Sequence, residues 1–406
     1  MGQFPATLEE GIEWLASYGA EPDGGVTRTL YSPQWKEAQH ALKGWMEEEG
    51  LAAYFDAIGN LFGRLSSSNP NAPTILIGSH VDSVKSGGKY DGAYGIIAGI
   101  LALLQLKTQY GQPSINLEVV SFCEEEGSRF PIALWGSGMM TGIYSYNDIC
   151  TIKDSEGNSF ETAMMAAGFG LTEYRGRNDI QTFIELHIEQ GPTLEKVNKA
   201  IGIVKAIVGQ RRYRISVSGE SNHVGTTSMK WRKDALHGAV NMIHDLYGSI
   251  KGYDEDLVTS VGQLFVEPNV PNVIPNTVQF TVDARHPNES VLSSFCQHFT
   301  ETFESHAKKH ELGIKVEMWH EVKPAPMDSH LNEIIESICF SRSIPCHWMN
   351  SGAGHDSQLF ARICPTTILF VPSQGGISHS PLEYTSTKDL ETGLTVLTEL
   401  LHQLAY

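Results

Sequence analysis

Thr74-Ile75-Leu76-Ile77-Gly78-Ser79-His80-Val81-Asp82-Ser83-Val84, followed by Gly87-Gly88-Lys89-Tyr90-Asp91-Gly92-Ala93, decides how this chain folds. Thr74 to Ile77 is a short, fully apolar run of strand length. Tyr94 to Leu106 is a nearly all-apolar run of helix length that must be buried. A second apolar strand, Leu117 to Cys123, stops at Glu124-Glu125-Glu126-Gly127. This alternation predicts an α/β fold with a mainly parallel sheet and helices on both faces. Ligands of such sheets bind beyond the carboxyl ends of the strands, where His80 and Glu124 to Glu126 fall.

Upstream, residues 7–18 and 34–49 have helical spacing, the second announced by Ser32-Pro33. Ala52 to Asp56 and Asn60 to Leu65 alternate as two strands about Ile58-Gly59. Downstream, a helix is predicted near 157–168, and the run from Phe183 reads as a strand stopped by Gly191-Pro192. The character changes near Gly209. Strand 211–218, helix 232–249, strands 258–266 and 277–284, helix 289–310 and strand 313–320 follow the β-α-β-β-α-β order of a ferredoxin-like unit. Lys323-Pro324-Ala325-Pro326 reads as the hinge back. Helices at 330–342, 356–362 and 386–404 then alternate with strands at 345–349 and 366–371. We expect residues 1–208 and 323–406 to form one domain, with 209–322 inserted as a second, α+β domain.

A chain of 406 residues has room for two such cores, and 41% hydrophobic with 19% charged residues suits an ordinary globular protein. A net charge of −18 argues against nucleic acid and against a polybasic membrane anchor. No apolar run reaches the roughly 18 residues of a membrane helix. The first residues show no basic region followed by an apolar one. Six scattered cysteines without a C-x-x-C pair fit a reducing compartment. The expectation is a cytoplasmic protein with neither nucleic acid nor membrane as partner.

His80 and Asp82, two residues apart, face the same way in a strand. His80 can bind a metal while Asp82 takes its other ring N–H; the pair can equally be an ordinary hydrogen-bonded strand end. Asp91 lies in a Gly-rich turn that permits close approach, and its carboxylate could bridge two cations. Glu124 to Glu126 read most simply as a solvated acidic turn. Three carboxylates after a buried strand nevertheless repel one another unless a cation or proton compensates. His187, at a strand end, and His379, in Ser378-His379-Ser380-Pro381, are further ligand types. Mixed histidine and carboxylate ligands suit Zn²⁺ or Mn²⁺ better than Ca²⁺ or Mg²⁺. A dinucleotide site in the Gly-rich run is disfavoured, because G-x-G-x-x-G spacing is absent.

These residues sit among longer motifs: Tyr31-Ser32-Pro33, Glu124 to Pro131, Glu185 to Gly191, Val208 to Tyr213, Gly219-Glu220-Ser221-Asn222-His223 and Ser351-Gly352-Ala353-Gly354-His355-Asp356. Nearly end to end, the chain resembles the dinuclear metallohydrolase family of aminoacylases, carboxypeptidases and N-carbamoyl amino-acid hydrolases. The resemblance implies two divalent cations per subunit, Mn²⁺ or Zn²⁺. His80, Asp91 and His187 would hold one, and Asp91, Glu126 and His379 the other, with Glu125 as general base. It further implies a homodimer through the inserted domain, with His223 reaching the partner subunit's site to polarise the scissile carbonyl. Gln190, Gln210, His223, Asn272, Arg285 and Gly354 would bind substrate. The implied activity is hydrolysis of a ureido C–N bond in a small substrate bearing a carboxylate. Allantoate is favoured, N-carbamoyl-L-amino acids are the alternative, and a non-catalytic family member is the rival from another class. The family commonly has His-Ala-Gly-Thr-Thr-Pro where this chain has His223-Val224-Gly225-Thr226-Thr227-Ser228, and Asp-Thr where it has Asp82-Ser83.

Overall fold

The computed structural model describes residues 4–170, 174 and 176–406. It divides into two compact units, one formed by the chain up to Lys205 and from Met327 onward, the other by Ala206–Pro326. The boundaries lie a few residues outside those expected. Ala325 and Pro326 pair with Ile207 and Ala206, so both linkers begin as a short antiparallel pair.

The first unit opens with α1 (Leu8–Ala16), started by a Thr7–Glu10 capping box, and α2 (Pro33–Glu48), where Ser32 caps and Pro33 fills the first turn. β1 (Ala52–Phe55) and β2 (Leu61–Leu65) form an antiparallel pair. They lead to β3 (Thr74–His80), α3 (Ala93–Tyr110) and β4 (Asn116–Phe122). Three short helices, α4 (Trp135–Met140), α5 (Tyr146–Ile149) and α6 (Phe160–Ala167), precede β5 (Ile180–Ile188), α7 (Thr193–Val197) and β6 (Ile201–Ile207).

The second unit contains β7 (Gly209–Ser218), α8 (Ala235–Ser249), β8 (Val258–Ser260), β9 (Leu264–Glu267), β10 (Thr277–His286), α9 (Glu289–Lys309), β11 (Gly313–Val322) and β12 (Ala325–Pro326). Its antiparallel sheet runs β11-β7-β10-β8, with β9 also on β10. The single strand predicted over 258–266 is split. At the break Gln263 donates its N–H to the Thr281 hydroxyl at 3.1 Å, while its carbonyl accepts the Thr281 N–H at 3.2 Å. Alternate residues of β10 are buried, as expected for a sheet with one covered face, and Phe280 and Val282 pack there with Phe295, Phe299 and Phe303 of α9.

The chain then supplies α10 (Ser329–Ser341), β13 (Cys346–Ser351), α11 (Ser357–Phe360), β14 (Thr366–Val371) and α12 (Thr387–Ala405). The large sheet has the order β1-β2-β4-β3-β5-β14-β6-β12, with β13 also on β6. Its centre, β4-β3-β5-β14, is parallel. The flanks are antiparallel. Every residue of β3, β4 and β14 is buried, the mark of strands covered on both faces. α3 packs on β3, β4 and β5, and α12 lies on α3 and buries Leu390, Leu394, Leu397 and Leu401. Each such leucine contributes about 1.5–3 kcal/mol by leaving water. Among the described residues no helix is long and apolar enough to cross a membrane.

Candidate metal centre

The strand ends set the site. His80 is the last residue of β3 and His187 the next-to-last of β5, so two parallel neighbours present imidazoles at their carboxyl ends. Asp91 stands at the start of α3, beyond a turn that only glycine can complete. Gly92 has φ of 64°, and a Cβ there would come within 2.4 Å of the His80 carbonyl oxygen. His187 Nε2 lies 3.1 Å and His80 Nε2 3.5 Å from Asp91 Oδ1. On the other carboxylate oxygen, His379 Nε2 lies 3.2 Å from Asp91 Oδ2 and 3.4 Å from Glu126 Oε1. Two groups, His80–Asp91–His187 and Asp91–Glu126–His379, therefore meet at Asp91.

The hydrogen bonds of these rings identify what fits between them. His187 Nδ1 lies 2.8 Å from the Ile188 carbonyl oxygen and must carry the proton. That leaves Nε2 as the bare nitrogen, 3.1 Å from Asp91 Oδ1 and 3.2 Å from the Gly92 nitrogen. His80 Nδ1 lies 3.0 Å from the Asp82 carbonyl oxygen, which leaves its Nε2 in the same relation to Asp91. Lone pairs facing a buried carboxylate repel unless a cation lies between them. Nitrogen and oxygen donors in this mixture suit Zn²⁺ or Mn²⁺. Without a metal the groups draw protons instead. His379 is pushed up to about 9, chiefly by its hydrogen bond to Asp91. Burial opposes charge on His80, yet Asp82 and Asp91 raise it well above the ordinary imidazole value.

Glu124 to Glu126 do not form a solvated turn. Glu124 is fully buried, and its Oε1 accepts the Gly127 N–H at 2.5 Å. Burial, then repulsion from Asp82, pushes its carboxyl well above the usual range. Burial and Asp91 push Glu126 up to about 7, and burial also raises Glu125, with His80 opposing. Asp82 lies past the end of β3, so its contact with His80 comes from the turn rather than from strand alternation. Its carboxylate stands 3.3 Å from His80 Nδ1 and also accepts the N–H groups of Glu125 and Glu126 at 3.0 and 3.1 Å.

Gln190 is drawn onto Asp91, donating from Nε2 to Asp91 Oδ2 at 2.9 Å. Both Gln190 and His379 adopt left-handed backbone, with φ of 57° and 54°, a strain of about 1–3 kcal/mol each that collects at functional sites. Gly354 is exposed, and a Cβ there would meet only Gln358 Oε1 at 3.6 Å, which leaves its backbone open to a ligand. Three residues near the site escaped the sequence reading. Glu185 is buried and accepts from Ser79 Oγ, Ser357 N and Ser357 Oγ. Asp356 is buried with neither carboxylate oxygen hydrogen-bonded. Glu383 reaches the Asp91 backbone. Glu185 and Asp356 stand within motifs already noted, without a role assigned to them; Glu383 carries no local signal.

The remaining candidates belong to the second unit, where they form two pairs. Gln210 and Arg285 are direct partners across β7 and β10, and both hold Asp283. Gln210 Nε2 donates to Asp283 Oδ2 at 2.7 Å, and Arg285 Nε to Asp283 Oδ1 at 3.0 Å. Asp283 was missed, although its position two residues before Arg285 puts both on one face. Exposed His223 bridges Val273, beside Asn272, whose carbonyl accepts the Val224 N–H at 3.2 Å. Ser228 stands where the family has proline, and here Arg232 holds the turn by donating to Thr227 O and Val224 O at 3.0 and 2.5 Å.

Residues 76–403 match the family described as Peptidase family M20/M25/M40. The chain is 48% identical to "Allantoate amidohydrolase" of Bacillus subtilis (strain 168) over 402 residues, 98% of each chain. It is 43% identical to the protein of the same name from Escherichia coli (strain K12), covering 99% of this chain and 98% of that one. Among solved structures, an amidase of the hydantoinase/carbamoylase family from Burkholderia multivorans superposes with a TM-score of 0.92 at 32% identity, covering 98% of this chain and 97% of that one.

Proposed function

The chain belongs to peptidase family M20/M25/M40, and from that premise we propose that it is a metal-dependent amidohydrolase that cleaves a ureido C–N bond of allantoate. The observation that carries the chemistry is the shared Asp91 carboxylate, with two imidazoles on one oxygen and His379 on the other. The two relatives named allantoate amidohydrolase support the substrate. Two divalent cations, Mn²⁺ first and Zn²⁺ second, would supply Lewis acidity for the carbonyl and acidify the attacking water.

The protein's own residues do the rest. Asp82 orients His80 and tethers the Glu125–Glu126 backbone, so ligand and base are held by one carboxylate. Glu125, raised by burial, takes the proton of the attacking water and returns it to the departing nitrogen. Gln190 holds Asp91 from the side of His379. For the second unit we assign chemistry by donor type. The planar fork of Arg285, with Asn272, suits the substrate carboxylate. Gln210 suits a second ureido arm, and His223 the developing oxyanion, offered across a homodimer. Six unpaired cysteines suit a cytoplasmic location. The products are ureidoglycine, ammonia and carbon dioxide.

Ammonia release should be measured from Mn²⁺-loaded protein with allantoate and with N-carbamoyl-L-amino acids. Faster release from allantoate is expected. Preference for the carbamoyl amino acids overturns the substrate assignment, and no turnover of either by fully loaded protein overturns the enzyme.

A further inference from the structure

Glu383 lies four residues beyond His379 and is 4% exposed. Its Oε1 accepts the N–H groups of Tyr90 and Asp91 at 3.0 and 3.1 Å, and its Oε2 accepts the Ser378 hydroxyl at 2.7 Å. Ser378 Oγ in turn accepts Gln190 Nε2 at 3.3 Å and lies 3.5 Å from Asp91 Oδ2. One carboxylate thus clamps the turn that presents Asp91 to the loop that presents His379. The backbone leaves room for it alone. A Cβ on Gly88 would stand 2.0 Å from Glu383 Oε1, so the carboxylate lies flat against bare main chain.

The two cation positions are supported unequally. His80 and His187 sit on β3 and β5, whose parallel ladder fixes their spacing. Glu126 and His379 sit in connecting segments, with no ladder between them and the Asp91 turn. The His379 backbone is left-handed and must be held there. We infer that Glu383 is a positioning residue that sets the separation of Asp91 and His379, and with it the affinity of the Asp91–Glu126–His379 position in particular. This rests on the two-cation reading above. A carboxylate accepting two backbone N–H groups forms charge-assisted bonds and leaves little play. An amide at this position keeps one acceptor for Tyr90 and Asp91 and can donate to Ser378, whose hydroxyl accepts as readily as it donates.

Metal-free wild type, E383A, E383Q and S378A should be titrated with Mn²⁺ by calorimetry and with Co²⁺ by visible absorption. Wild type should show two binding steps. E383A should weaken one step by about 10–100-fold, the usual effect of losing a partner that orients ligands, and leave the other in place. E383Q should recover most of the loss, and S378A should weaken the same step less. Two unchanged steps in E383A overturn the role of Glu383 and leave the two-cation reading standing. Fewer than two steps in wild type overturn that reading itself. Should E383A fail to fold, S378A decides: a selective loss supports the clamp and no loss overturns it.

Discussion

Glu125 is the residue on which the proposed chemistry turns. Neither group centred on Asp91 includes it, so its loss should separate binding from turnover. Glu125→Gln should retain both cations by elemental analysis while lowering kcat by about 10²–10⁴-fold, the usual worth of a general base. Retained turnover would move the base elsewhere. At this scale His80, Asp91, His187 and His379 were legible as candidates, because each stands beside a strand end or turn visible within a few residues, and the structure brings the four together. For the acidic triplet the mutual repulsion was legible, but the relative burial of its members was not. Which of Glu124, Glu125 and Glu126 is buried deepest depends on contacts from Asp82 and from Leu134 and Gly136, and three identical letters do not encode that. Glu124 alone of the three is fully enclosed, and burial pushes its carboxyl well above the usual range.

At the scale of the element, the β3–turn–α3 unit carries most of the fold's logic. Its strand is wholly buried, its helix nearly so, and its turn brings Asp91 to both histidines. Gly92→Ala should cost about 1–2 kcal/mol from its left-handed backbone alone. The added methyl also meets the His80 carbonyl oxygen at 2.4 Å. Metal content should fall while circular dichroism stays near wild type; normal cation stoichiometry would show that the turn relaxes harmlessly. The parallel centre was legible because unbroken apolar runs mark strands covered on both faces. β6 was not expected, and the strand at 258–266 proved to be two. The side chain of Thr281, on the neighbouring strand, takes the Gln263 N–H at the break, and no periodicity within 258–266 reports a partner some twenty residues away.

For the whole molecule, metal binding and stability are linked. Mn²⁺ at about 100-fold over its dissociation constant should stabilise the fold by about 2.7 kcal/mol, read as a rise in Tm that chelator reverses. Folding raises Glu126 from 4.5 to about 7 and His379 from 6.5 to about 9 in the metal-free protein. The folded state therefore holds protons that the unfolded chain has released, and metal-free stability falls as pH rises across those intervals. A cation displaces the same protons, so the rise in Tm on adding Mn²⁺ should be larger at about pH 8.5 than at about pH 6. An increment that shrinks with pH would remove both groups from the ligand set. The sequence by itself determined the strand–helix alternation, the ferredoxin-like order of the second unit and the placing of candidate ligand types near strand ends, because each is written in contacts among neighbours. The tertiary structure alone decided how those ligands are supported. Glu383 meets Asp91 across 292 residues and Glu185 meets Ser357 across 172. Neither pairing leaves a trace in local pattern, since burial and long-range hydrogen bonds belong to the packed unit rather than to any segment of it.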